Sequence, residues 1–221
     1  MANRSMSGIR YAPVSVCASW VLVAGGRRSE LHPAVQRALL QRGTGPIDWT
    51  RFTAEELIWT IPASRMKGKN NKARAHVVPL TPDMLTVLES LKVFSGGDFM
   101  FSLTGHTPVV MSTTRKADLD SRMLRTLRAM AKRRGEDPAV QLEPFVNHDL
   151  RRVVRSGLSR LKIAEEVREA VLAHARAGIK NVYDQHDYLA EKRDALMQWG
   201  ARLRSIVEPA PAASNVVALR G

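Results

Sequence analysis

Apolar positions along this chain recur mainly at helical spacing. Met84, Leu85, Val87, Leu88 and Leu91 fall on one face of a helix that Thr81 and Pro82 open, Thr81 as N-cap and Pro82 at the first helical position. Leu124, Leu127 and Met130 give one apolar face to a helix over Leu119–Arg134, which Gly135 ends. The rest of that helix is basic, carrying Arg122, Arg125, Arg128, Lys132, Arg133 and Arg134. Further helices are expected over Ser15–Ala24, Pro33–Gln41, Asn147–Leu161 and Glu165–Leu172. The last runs from about Val182-Tyr183 to Ile206 and carries Tyr188 on its way.

Strand patterns are few. Leu57–Pro62 and Ala75–Leu80 flank a turn over Met66–Arg74 rich in Lys, Gly and Asn, which predicts a hairpin. Shorter strands are expected from Asp48-Trp49 onward and over Phe99–Ser102, with a loop over Thr104–Pro108. The expected fold is mainly α with a small antiparallel β-sheet (α+β). Residues 1–14 read as a frayed tail, residues 15–206 as one domain, and residues 207–221 as a flexible tail.

Composition narrows the partners. The 221 residues suit one sizeable domain, and a net charge of +13 favours a polyanion, whose condensed counterions Lys and Arg release on binding. Ribosomal and membrane-surface proteins share that balance, so charge alone does not select DNA. Cys17 is the single cysteine, which excludes an internal disulfide and a cysteine-based zinc site and fits a reducing cytoplasm. The apolar run Val14–Ala24 is too short to span a bilayer, and Gly25-Gly26-Arg27-Arg28 makes a poor signal-cleavage site.

The candidate chemistry lies in the last third. Asn147-His148-Asp149-Leu150-Arg151-Arg152 is followed by His174, and Tyr183 stands nine residues beyond that His. At 100° per residue His148 and Arg151 occupy neighbouring positions on one helix face and can reach one phosphate. Arg binds phosphate oxygens through two parallel hydrogen bonds, a His donates or shuttles a proton, and a Tyr hydroxyl can attack phosphorus. Tyr11 and Tyr188 are the other tyrosines; Tyr11 precedes every motif, and Tyr188 is expected to pack as a helix aromatic. His32, His76, His106 and His186 show no metal-ligand spacing, and His76 reads as a structural strand residue.

In this order the residues resemble the catalytic domain of tyrosine recombinases, phage-type integrases in particular. His148 and Arg151 match the family's His-x-x-Arg element. His174 matches its second His, although Ala173 stands where the family often has Gly, and Tyr183 matches the nucleophile. Trp59-Thr60-Ile61-Pro62-Ala63-Ser64-Arg65-Met66-Lys67 followed by His76-Val77-Val78-Pro79-Leu80 is similar to the hairpin that carries the catalytic Lys. Lys67 fits that role best, with Lys69 second. Gly25-Gly26-Arg27-Arg28-Ser29-Glu30-Leu31 resembles the segment of the first catalytic Arg, which falls on Arg27 with Arg28 adjacent, and Glu30 matches a supporting acid. The run Tyr188–Trp199 resembles the C-terminal helix of prophage integrases.

The resemblance is collinear from about Ile58 to Trp199 and weaker around Arg27, and His32–Gly45 departs from the family pattern. It implies site-specific recombination through a 3′-phosphotyrosyl link, without metal or nucleotide cofactor. It also implies a double-stranded DNA partner, a homo-tetramer on DNA, a cytoplasmic location and no membrane. The length leaves no room for the family's N-terminal DNA clamp, so a catalytic domain alone is expected, from a truncated prophage gene. A DNA-binding remnant without activity and a type IB topoisomerase-like relaxation remain as alternatives.

Overall fold

The expected hairpin is the only sheet among the described residues. Ile58–Ile61 (β1) and His76–Pro79 (β2) pair antiparallel, Ile58 opposite Pro79 and Ile61 opposite His76. The computed structural model describes residues 26–41, 47–66, 74–92, 94, 96–110, 112–174 and 187–207, with Asn147 by its backbone alone. Lys67, Tyr183, the Ser15–Ala24 helix and both tails lie outside the described residues. The remaining elements are the helices Pro33–Gln41 (α1), Pro82–Ser90 (α2), Thr113–Arg134 (α3), Asn147–Arg160 (α4), Glu165–Val171 (α5) and Leu189–Val207 (α6). The fold is mainly α with a small antiparallel sheet.

The apolar stripes converge on one core. Trp59 and Ile61 from β1 and Val78 from β2 meet Leu31, Val35 and Leu39 at α1, and Met84, Leu85, Val87 and Leu88 of α2. Val154 and Leu158 of α4, Val167 and Val171 of α5, and Ala195, Leu196 and Trp199 of α6 complete it. Each such side chain contributes roughly 1.5–3 kcal/mol by leaving water. The segment that departs from the family pattern is therefore part of the core, because Val35 and Leu39 are 0% and 5% exposed. Gly157 lets α4 and α6 approach: a Cβ there would collide with the Trp199 ring. Among the described residues no helix is long and apolar enough to cross a membrane.

Four expectations change. The strand at Asp48-Trp49 is a 3₁₀ turn, Trp49–Arg51, because the Asp48 carboxylate accepts from the Thr50 N–H at 3.2 Å and from its hydroxyl at 2.6 Å. Phe99–Ser102 forms only an isolated bridge, Phe99 with Arg27. Helix α3 begins at Thr113, six residues before Leu119, because the Ser112 hydroxyl accepts from the Arg115 N–H at 3.3 Å. Tyr188 is not within the last helix but just before it, with φ +55° and its side chain against the core.

Other local signals are met. Gly135 closes α3 at φ +72°. Pro82 starts α2 after Thr81, although the Thr81 side chain makes no capping bond. Helix α3 buries only Ala131 and leaves Leu127 and Met130 exposed, so its basic face is fully solvated.

Candidate active site

The centre of the site is the junction of α4 and α5. The Asp149 carboxylate accepts from the Val146 N–H at 2.9 Å and closes the first turn of α4. That bond, reinforced by Arg152, holds the Asp149 carboxyl below its usual range. His148 stands exposed in this turn, one turn before Arg151 on the same face. Arg151 is half-buried, and its guanidinium lies across to α5.

Helix α5 ends in a tight reversal. The His174 N–H donates to the Glu169 carbonyl at 3.0 Å and the Ala173 N–H to the Ala170 carbonyl at 3.3 Å, while Ala173 takes φ +50°. This is the Schellman closure, in which glycine is the usual left-handed residue. Ala173 takes that place here, and the reversal sets the imidazole of His174 beside Arg151.

Arg151 Nη2 donates to the Leu172 carbonyl, and Nε donates to His174 Nε2 at 3.2 Å. With Nε2 accepting, the proton of a neutral ring sits on Nδ1, which bonds the Glu169 carboxylate. The other Glu169 oxygen accepts from Arg155 Nε at 2.8 Å. Burial works to raise the Glu169 pKa, but the bonds from His174 and Arg155 outweigh it and hold the carboxyl below its ordinary value. Burial likewise lowers the pKa of Arg151, with Glu169 opposing. The result is a relay of oriented groups, Arg155–Glu169–His174–Arg151, whose cationic end is fixed before any ligand arrives.

Behind this face lies β2. His76 is 7% exposed on that strand, in keeping with a structural strand residue. Burial pushes its pKa down to about 3, helped by the charges of Lys192 and then Arg151, so its imidazole is neutral at physiological pH.

Arg27 stands at the head of the 3₁₀ turn Arg28–Glu30. Its guanidinium stacks over Phe99, 5.0 Å from the ring centroid, and its backbone N–H donates to Glu30 Oε2 at 3.2 Å. Glu30 is buried, accepts from Trp59 Nε1 at 3.0 Å and pairs with Arg65. Arg27 and Arg65 line an open cleft of about 520 Å³ with Ser29, His32 and Thr60. The structure thus brings Arg151 and His174 into direct contact, sets His148 on the same helix face, and places Arg27 in an open cleft with Arg65.

Sequence reasoning missed Glu169, Arg65 and Lys192. Glu169 carries a weak signal, an acid five residues before a candidate His at a helix end. Lys192 carries a stronger one, because it interrupts the apolar stripe of Ala195, Leu196 and Trp199.

No protein-family model matches the chain, and no solved structure matches it. The chain is 34% identical over 154 residues to the prophage integrase IntA of Escherichia coli (strain K12), a match covering 69% of this chain and 32% of that protein. The chain is therefore integrase-like over most of its length, while spanning about a third of that relative.

Proposed function

We propose that the chain is the catalytic part of a tyrosine recombinase that cuts and rejoins double-stranded DNA at specific sites. The observation that carries this reading is the Arg151–His174 contact, with His148 one turn away on α4. A phosphodiester in transfer concentrates charge on its non-bridging oxygens, and preoriented donors in a partly dry site stabilise that charge most. The likeness to a prophage integrase adds independent support.

In the proposed reaction the Tyr183 oxygen bonds to phosphorus as the bond from phosphorus to the 5′-oxygen breaks. The DNA is left joined through a 3′-phosphotyrosyl link. His148 takes the phenol proton, and Lys67 gives a proton to the departing 5′-oxygen. Arg27 and Arg151 neutralise the non-bridging oxygens, and His174 orients the Arg151 guanidinium. An unperturbed Tyr titrates near pH 10, so these cations also favour the developing phenolate. A 5′-hydroxyl from another strand reverses the step, which conserves the phosphodiester energy and uses neither metal nor nucleotide. Four copies acting on two duplexes complete an exchange.

A nicked duplex that loses its 5′-hydroxyl fragment after cleavage tests the reading. The full chain should accumulate a covalent protein–DNA adduct that Tyr183→Phe abolishes. Binding without any adduct marks a DNA-binding remnant, and relaxation of supercoils without a specific site marks topoisomerase-like activity.

A further inference from the structure

Lys192 occupies a place that packing alone does not explain. It is 5% exposed, on the face of α6 that buries Ala195, Leu196 and Trp199. A leucine or methionine would fill that stripe without withdrawing an ammonium from water, which is unfavourable unless the charge is compensated. The compensation here is directional: Nζ donates to the Val77 carbonyl at 2.7 Å.

Val77 lies on β2 beside His76, in a strand whose register against β1 is fixed from Ile58 to Ile61. Helix α6 packs on both β2 and α4. Lys192 and Arg151 are each close enough to His76 to act on its charge. Helix α6 therefore lies against both the strand and the helix that carries Arg151, and a buried ammonium bonds it to the strand.

We propose that Lys192 is a positioning residue that ties β2 to α6 and so holds the strand behind Arg151, keeping the guanidinium aligned for a scissile phosphate. This rests on the recombinase reading. The Lys192 ammonium does not touch DNA; it acts through β2 and Arg151. Its loss therefore matters to the extent that the reaction needs Arg151 to neutralise a non-bridging oxygen.

The substrate can be changed to ask that question. A nicked duplex with a natural scissile phosphate is compared with one carrying an uncharged methylphosphonate, which lacks the oxygen charge that Arg151 would neutralise. Full-length Lys192→Met should melt within a few degrees of the parent and bind DNA within about twofold. It should form adduct about tenfold or more slowly on the phosphate, as expected when one charge-stabilising donor is misplaced. On the methylphosphonate its rate should fall within about threefold of the parent, and Lys192→Arg should recover most of the phosphate rate.

An unchanged rate on the phosphate, or an equal slowing on both substrates, overturns the proposal. If Lys192→Met does not fold, Lys192→Gln, which removes the charge and shortens the reach to Val77, decides the matter: a slowing confined to the phosphate supports the proposal, and any other pattern overturns it. A parent chain that forms no adduct on either substrate overturns the recombinase reading itself, and this proposal with it.

Discussion

Arg27 and Arg151 serve one proposed chemistry from two differently built regions. Arg151 rises from the second turn of a 14-residue helix, is half-buried, and is held by the Leu172 carbonyl and His174. Arg27 sits at the head of a three-residue 3₁₀ turn, is exposed, and is held by its backbone bond to Glu30 and a stack on Phe99. The first arrangement fixes a guanidinium before DNA binds. The second fixes the backbone and leaves the side chain to solvent. A cation oriented in a partly dry site is worth more to a developing charge than one that must be ordered by the ligand.

The largest test of this contrast is paired substitution. Arg151→Ala should slow adduct formation about 10²–10³-fold, the loss typical of one preoriented charge-stabilising donor. Arg27→Ala should slow it about tenfold at low salt and by less as salt is raised, because an exposed charge is screened. Single-turnover rates at two ionic strengths measure both. Equal losses would erase the distinction between the regions.

A smaller effect concerns the strand behind Arg151. His76 is held neutral in the fold, with a pKa near 3 against about 6.5 when unfolded. Between those values the unfolded chain binds the extra proton, so stability is full above pH 6.5 and falls as pH drops through that window. The slope approaches roughly 1.4 kcal/mol per pH unit, or about 2 kcal/mol between pH 6.5 and 5. Denaturant melts across pH 5–7 should show it, and His76→Gln should remove it. Glu169 adds its own acid loss only below the ordinary carboxylate range, since its pKa is lowered.

The smallest effect lies at the reversal before His174. Ala173 holds φ +50°, a conformation that disfavours any residue with a Cβ. Ala173→Gly should raise stability by about 1 kcal/mol and leave the orientation of His174 intact. Loss of stability on this change would mean that the left-handed closure is not present in solution.

Much of this architecture is legible in the sequence where one period dominates. The apolar spacing of α2, the hairpin and the run around His148 and Arg151 needed no tertiary information. Two of the misreadings share a cause, in that a local side-chain bond overrode propensity. Trp49, Thr50 and Phe52 favour strands, yet Asp48 folds them into a turn. Thr113 and Thr114 hide the true start of α3, which Ser112 sets. The sequence orders His148, Arg151 and His174 but not the Glu169 carboxylate that aims the ring, because that contact depends on where α5 reverses. Lys192 was readable as a charge within an apolar stripe, though its partner on β2, far away in sequence, was not.

The central claim is that the phosphate held by Arg151, which His174 orients, becomes joined to Tyr183. Trapping the adduct on a nicked duplex, digesting both protein and DNA, and locating the residual nucleotide by tandem mass spectrometry tests it directly. The account predicts a 3′-nucleotide mass on the peptide containing Tyr183, fragmenting to phosphotyrosine at that residue. The same mass on Tyr188 or on a serine, or an adduct that survives Tyr183→Phe, would contradict it.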